Sequence, residues 1–332
     1  MHTLTAYGEG AIIRAARNDV LGRDGTYGWP QSDCWNATLI PHENDHLKYA
    51  FVGPALLLLI ALNIFPLFYS LFLSFTNAEL SGGAATFIGT ANYSTVFSTP
   101  RFATAMRTTA TFVCLAVAIE VSLGYALALC FRAPFRGKSV MLAVLLVPMM
   151  LSPAVVGLYW NVILNGNYGI LNQILGALGA GQPQWLTDPD LKLYSLLLID
   201  VWMWTPFAML ISLAGLNAIP GHLYEAAQID RASRWTVFRR ITLPLSFPLV
   251  ALAALFRTTD ALKLFDQVMA VTGPNDEATQ TLSALLYQII FRNYKMGQGS
   301  AYAMVVLVIV IALSTIFVRH IQTFQTRHGR AA

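Results

Sequence analysis

Charge is scarce in this sequence. Asp, Glu, Lys and Arg make up only 11% of its 332 residues, against about 25% in soluble domains. Length alone fits two soluble domains. The charge deficit, together with 56% apolar residues and a mean hydropathy of +0.55, points to an integral membrane protein. Cysteine is nearly absent as well. Cys34, Cys114 and Cys130 form no metal-ligand spacing. Cys114 and Cys130 fall too far apart on one helix to bridge, so the cysteines read as inert packing residues. No Gly-x-x-x-x-Gly-Lys-Ser/Thr loop occurs anywhere, which excludes ATP hydrolysis by that route. No nucleophile triad or metal box is visible either, and the six histidines lie mostly in tails and loops. No catalytic residue, bound metal or bound cofactor is therefore expected. The net charge of +4 is spread between apolar runs rather than gathered. That argues for orientation in a lipid bilayer and against nucleic acid as a partner.

What is present is a series of long apolar runs. Six are long enough to cross the hydrocarbon, which takes about 20 residues: 49–75, 108–131, 139–164, 193–216, 243–271 and 299–318. Without water the backbone must satisfy itself, so these runs are helices. The expectation is an all-α polytopic membrane protein with six transmembrane helices. The first run is too long and too far from the start for a cleaved signal peptide. Residues 1–47 are mixed polar without a sustained period and read as a loosely ordered cytoplasmic tail. Residues 48–318 form the membrane domain and 319–332 a second cytoplasmic tail.

Basic residues set the orientation. One side collects Arg14, Arg17, Arg23, Lys48, Arg132, Arg136, Lys138, Arg231, Arg234, Arg239, Arg240, Arg319, Arg327 and Arg330. The other holds only Arg101, Arg107, Lys192, Arg292 and Lys295. The positive-inside rule puts the richer side, with both termini, in the cytoplasm.

Residues 218–244 form a polar island on that side. Pro220 suits the first turn of a short helix to Asp230, on which Leu223, Ala226, Ala227 and Asp230 fall at helical spacing and Glu225 stands as a charged anchor. A turn follows near Arg231. Ser233 is placed to cap a second helix with an apolar stripe of Trp235, Phe238 and Ile241. Leu243-Pro244 marks re-entry into the membrane. Two readings fit: an amphipathic linker on the bilayer surface, or a docking surface for a partner.

Inside the membrane, ionisable groups are costly unless paired or facing a cavity. Glu120 and Asp200 read as buried and paired. Arg257, Asp260 and Lys263 lie at i, i+3 and i+6, with Asp266 three residues on. They form either an ion-pair ladder or the lining of a pathway. Trp202, Trp204 and Thr205 add aromatic and hydroxyl groups to such a lining, although tryptophan also simply anchors at interfaces. Gly124, Ala128 and Gly157 permit close helix packing, and Pro148 and Pro153 are placed to bend the third run.

The island resembles the EAA motif of ABC-importer permease subunits: Glu-Ala-Ala, three residues, Gly, nine residues, then Ile, one residue, Leu-Pro. Glu225-Ala226-Ala227, Asp230, Ile241 and Leu243-Pro244 keep that pattern, while Arg231 stands where the family has Gly. Fragments such as Lys48–Ala55, Phe87-Ile88-Gly89 with Asn92-Tyr93, Gly169–Asn172 with Trp185-Leu186, Thr272-Gly273-Pro274 and Gly299-Ser300-Ala301 extend the resemblance from about 48 to 318. They are similar to the carbohydrate branch, the maltose and glycerol-phosphate type permeases.

The resemblance implies a type I importer fold in the cytoplasmic (inner) membrane. It implies a heterodimer with a second permease, two ATP-binding cassette subunits that use ATP and Mg, and an extracytoplasmic solute-binding protein. Residues 218–244 would be the coupling loop, with Glu225 facing a basic residue of the ATPase. A left-handed turn at Arg231 would cost about 1–2 kcal/mol for a residue other than Gly, so either the turn differs here or stability is given up. No strongly basic pocket for a phosphate is visible, which favours a neutral sugar. A stand-alone secondary transporter or channel is the other class; six helices without an evident inverted repeat disfavour it.

Overall fold

The computed structural model describes residues 45–329, with side chains over 52–319. The expected tail at 1–47 lies almost wholly outside that range. Among the described residues, regular structure is helical apart from one isolated antiparallel bridge, Thr76–Phe87. The chain divides into two units, Met1–Phe65 and Pro66–Ala332. As far as it is described, the first unit is helix α1 (Asp45–Leu59) and a π-helical turn, Ile60–Ile64.

The second unit is a helical bundle. It comprises most of α2 (Phe65–Leu73), then α3 (Ala91–Ser98), α4 (Pro100–Arg132), α5 (Lys138–Leu146), α6 (Pro153–Ile163) and α7 (Ile170–Ala177). These are followed by α8 (Pro189–Asn217), α9 (Gly221–Ile229), α10 (Arg234–Val237), α11 (Leu243–Ala261), α12 (Asp266–Val271), α13 (Leu282–Tyr287) and α14 (Met296–Gly329). The last helix runs past the end expected at Val318.

Among the described residues five helical stretches, not the six expected, are long and apolar enough to cross a membrane: Val52–Leu73, Pro100–Arg132, Pro189–Asn217, Arg234–Ala261 and Met296–Arg319. The expected third run is two short helices instead. Between α5 and α6 lie a 3-10 turn, Pro148–Met150, and the extended residues Leu151 and Ser152, with ψ of 152° and 133°. Proline explains the break: Pro148 lacks an N–H for the helix, and Pro153 drives Ser152 out of the helical region. The fifth expected run also ends early. Residues 262–265 are a turn and irregular chain between α11 and α12.

Local signals set the other boundaries. α4 begins with Pro100 in its first turn and ends where Ala133, preceding Pro134, turns extended at ψ 145°. α8 starts behind Asp188, whose carboxylate accepts from Asp190 N at 3.0 Å. Asn92, in the fragment with Tyr93, is buried and donates to Ser74 O and Thr76 O at 2.9 and 2.8 Å, tying α3 to the end of α2. Asn172 likewise holds its loop, donating to Gly166 O and Pro183 O while accepting from Trp185 Nε1 at 2.7 Å.

The core is a helix-on-helix seam. Along α4 the buried positions are Ala105, Thr109, Phe112, Val113, Ala116, Glu120, Gly124, Ala128 and Phe131, the three-and-four spacing of one face. That face meets α8, whose most apolar window is 61% buried against 11% for the last span; α8 is thus central and α14 peripheral. A Cβ on Gly124 would stand 2.7 Å from Ala208 Cβ and from Met209 N. Backbones meet there, as the small residues predict. Gly157 does the same for α6, where a Cβ would lie 2.7 Å from Ala270 Cβ on α12. One apolar cluster (Ala128, Phe131, Met209, Leu213, Leu216, Ile219) lies under the 221–242 segment. Another (Val96, Ala105, Leu282, Leu285, Ala301, Tyr302) lies at the opposite end of α4.

Candidate functional site: a capped loop and a buried arginine

The polar island folds as its residues predict. Pro220 is extended at ψ 136° and precedes α9, which closes at Asp230. Arg231 takes the left-handed conformation, φ 51°. Around it Arg231 N donates to Gln228 O at 3.0 Å and Ala232 N to Ala227 O at 2.9 Å. These two bonds make a Schellman cap, the motif that normally places Gly at this position. The turn is therefore the same as with Gly, and Arg231 carries the steric cost. Ser233 caps the next helix, its Oγ accepting from Thr236 N at 3.2 Å. A π-helical turn, Phe238–Thr242, leads directly into α11.

One face of the loop is held and the other is free. Ala227 is buried, and Leu223, Tyr224 and Ile241 pack on the cluster beneath. Tyr224 Oη bonds Thr242 Oγ1 at 3.1 Å, and the Arg132 guanidinium stacks 4.1 Å above the Tyr224 ring. Tyr125 Oη reaches Ser246 Oγ at 2.9 Å. Glu225, Ala226, Gln228, Asp230 and Arg231 are exposed, Ile229 is 83% exposed and Trp235 67%. Leu243 is exposed and Pro244 half-buried. The stripe on the second helix is thus only partly seated: Phe238 and Ile241 are half-buried, while Trp235 stacks on Phe238 at 5.5 Å in the open.

The cap makes a measurable claim. Arg231→Gly is expected to raise the apparent melting temperature, because the αL cost of about 1–2 kcal/mol exceeds the extra unfolded-state entropy of Gly, about 0.5–1 kcal/mol. Arg231→Val, β-branched at positive φ, is expected to lower it. Equal melting of the two variants would contradict a left-handed cap.

The second constellation is built on three spans. Arg257 on α11 is 1% exposed. Its Nε donates to Glu120 Oε2 at 2.6 Å and its Nη2 to Glu120 Oε1 at 3.2 Å, both on α4. Nη2 also reaches Asp200 Oδ2 on α8 at 2.9 Å, and Nη1 reaches Asp260 Oδ2 at 2.8 Å. The Trp204 ring lies 4.7 Å from the guanidinium carbon, in cation–π range. Glu120 and Asp200 are buried and paired as expected. Their common partner, Arg257, is one that sequence spacing does not single out; the only signal is that each is an ionisable group inside an apolar run.

The i, i+3, i+6 ladder is corrected in part. Arg257 and Asp260 pair, but Lys263 lies beyond the end of α11, exposed, and the ladder does not continue to it. Asp266 is exposed at the start of α12. The three candidates on α8 separate as well. Trp204 faces Arg257. Trp202 packs edge-on against Trp160 at 5.6 Å and lines, with Thr205, Leu123 and Val201, an apolar groove of about 530 Å³. Thr205 Oγ1 is buried there without a hydrogen-bond partner among the described residues. Among the described residues no group of three or more His, Cys, Asp or Glu is arranged to hold a metal ion.

Comparison with known proteins shows the family. Residues 120–328 match the family described as binding-protein-dependent transport system inner membrane component, a span that includes the loop and all four members of the arginine cluster. A probable ABC transporter permease protein of Sinorhizobium fredii is 35% identical over 268 residues, 80% of this chain and 86% of that protein. The trehalose/maltose transport system permease protein of Thermococcus litoralis is 33% identical over 276 residues, 82% and 92% of the two chains. The sulfoquinovosyl glycerol transport system permease protein of Agrobacterium fabrum is 32% identical over 279 residues, 83% and 91%. A solved bacterial ABC transporter involved in the import of the acidic polysaccharide alginate has the same fold, with a TM-score of 0.74 over 84% of this chain and 96% of that one at 21% identity. With its long apolar helices and a capped loop at the spacing of the EAA motif, the chain belongs to the inner membrane components of binding-protein-dependent transport systems, the permease subunits of ABC importers.

Proposed function

We propose that the chain is the permease subunit of an importer for a neutral sugar or polyol, coupled through residues 218–244 to a separate ATPase. The observation that carries the coupling is the loop itself: a short helix seated through Ala227 and Tyr224, with Glu225, Ile229 and Trp235 left free. The sugar reading is supported by the relatives named for trehalose/maltose and sulfoquinovosyl glycerol transport. Trp204 and the 54% exposed carboxylate of Asp260 offer a ring face and an acceptor suited to a polyhydroxylated solute. Lys263, Asp266, Trp202 and Thr205 remain candidates further along the pathway.

In this reading α5 and α6 together complete a sixth crossing. A broken helix is tolerated at membrane depth where protein or a cavity covers it, and α6 packs on α12. Both termini and the loop then lie in the cytoplasm, the side that the distribution of basic residues favours. A second permease, two ATP-binding cassette subunits that use ATP and Mg, and an extracytoplasmic solute-binding protein complete the unit.

The test is reconstitution. The detergent-extracted chain is expected to co-purify with an ATPase subunit, and vesicles carrying the complex to take up labelled disaccharide only with ATP, with a cysteine at 234 labelled from the ATPase side. Uptake that proceeds without ATP or an ATPase would establish the secondary-transporter reading instead.

A further inference from the structure

At the end of α4 opposite the capped loop, a cavity of about 160 Å³ lies between α3, the start of α4, the π-helical turn Gln288–Arg292 and the start of α14. Its polar lining is Thr99, Arg101, Gln288, Asn293, Lys295, Gln298 and Tyr302, with the Thr99 hydroxyl already donating to Thr95 O at 2.6 Å, and no carboxylate is among the described lining residues. Tyr302 is 1% exposed, and its hydroxyl has no hydrogen-bond partner among the described residues. A buried hydroxyl left so costs about 1–3 kcal/mol, and the packing does not force it: the ring sits edge-on against Phe102 at 5.4 Å and would do so equally as phenylalanine.

The wall is built with care. Tyr294 holds φ 58°, a conformation costly for an aromatic residue, and so delivers Lys295, whose N–H bonds Ile289 O at 3.1 Å. Gly297 N donates to Ala78 O at 2.8 Å, and a Cβ on Gly297 would stand 2.0 Å from Thr76 O. The start of α14 is thereby clamped to the chain after α2. Arg101 has one bond, to Glu277 Oε1 at 3.2 Å, and both side chains are more than half exposed, so the pair is weak and open to competition.

We propose that this cavity binds a small free oxyanion of carboxylate, sulfate or phosphate type. Apart from Thr99, whose hydroxyl is spent on Thr95 O, every polar side chain in the lining can donate into the cavity: a guanidinium fork, an ammonium, three amide NH₂ groups and the Tyr302 hydroxyl. An acceptor-only ligand satisfies them together, and the volume admits one such ion with accompanying water. Occupancy is felt beyond the cavity. Gln288 Oε1 accepts from Gln280 at 2.9 Å and its Nε2 donates to Asn275 at 3.4 Å. Asp276 in the same loop bonds Lys192 on α8. The site is thus wired to the loop that joins α12 to α13. The inference stands on the cavity alone and is independent of the transported solute.

The test is melting of the full-length detergent-extracted protein in sodium sulfate, phosphate or acetate, with sodium chloride at matched ionic strength as reference. At least one oxyanion is expected to raise the melting temperature saturably. Sulfate also stabilises proteins generally, but without saturation. Tyr302→Phe is expected to weaken the apparent affinity about tenfold, the value of one hydrogen bond to a charged ligand. Arg101→Gln with Lys295→Gln is expected to abolish the saturable component, and Arg107→Gln, which does not line the cavity, to leave it unchanged. Equal melting in chloride and all three oxyanions, or a saturable rise that survives both Tyr302→Phe and the double variant, would overturn the proposal.

Discussion

Arg257→Ala is expected to destabilise the protein by about 3–5 kcal/mol, the cost of breaking a buried ion pair from one side. The geometry explains the size. One guanidinium answers Glu120 and Asp200, whose side chains are 0% and 2% exposed, and Asp260, which is half open. Removing it leaves two carboxylates buried on α4 and α8 with neither water nor cation, and the Trp204 face loses its partner. The guanidinium uses three nitrogens toward three different helix positions, a fork that lysine does not reproduce, so Arg257→Lys is expected to recover only part of the loss. The combined variant Glu120→Gln, Asp200→Asn, Arg257→Met is expected to melt closer to the parent, because removing a whole buried set costs far less than orphaning its members. Apparent melting temperature in detergent reads all three. If Arg257→Ala melts with the parent, the cluster is not what holds these helices in register.

Glu225→Lys is expected to abolish transport while leaving insertion and folding intact. Glu225 is exposed on α9 and makes no ion pair among the described residues, so no ion pair among them is lost. A partner cation would meet a like charge, and truncation or reversal at a hydrogen-bonded charge pair costs about 2–5 kcal/mol of association, or more than about tenfold in affinity. Glu225→Ala should fall between. Normal membrane yield and melting temperature, with loss of both ATPase co-purification and uptake, is the expected signature. Full uptake by Glu225→Lys would remove the docking role from this loop.

Much of the fold is legible in the sequence because lipid imposes few solutions. Long apolar runs become helices, and the loop at 221–244 is written in residues with local meaning: Pro220 before a helix, Ser233 as a cap, Leu243-Pro244 at the return. Where local rules compete, legibility fails. Residues 139–164 are apolar enough to span, but Pro148 and Pro153 divide them, and hydropathy does not weigh proline. The polar run after Arg257 looks like one helix face, yet the helix stops at Ala261. Long-range partners are the least legible. Glu120, Asp200 and Arg257 lie on three separate helices, and only the fold brings them together. Trp202 and Trp204, two positions apart, share a sequence signature but face different surroundings, since a two-residue step turns about 200° around a helix.

The crossing at Gly124 divides α4 into two unequal arms. From that point the helix extends about 36 Å to Pro100 but only about 12 Å to Arg132, at 1.5 Å per residue. The short arm ends over the Tyr224 ring of the capped loop, and the long arm ends at Arg101 beside the donor-lined cavity. A tilt about this fulcrum that moves the short end by about 1 Å sweeps the far end through about 3 Å. The guanidinium of Arg257 grips α4 one turn from that crossing, at Glu120, so any such tilt would be amplified about threefold at the Arg101 end.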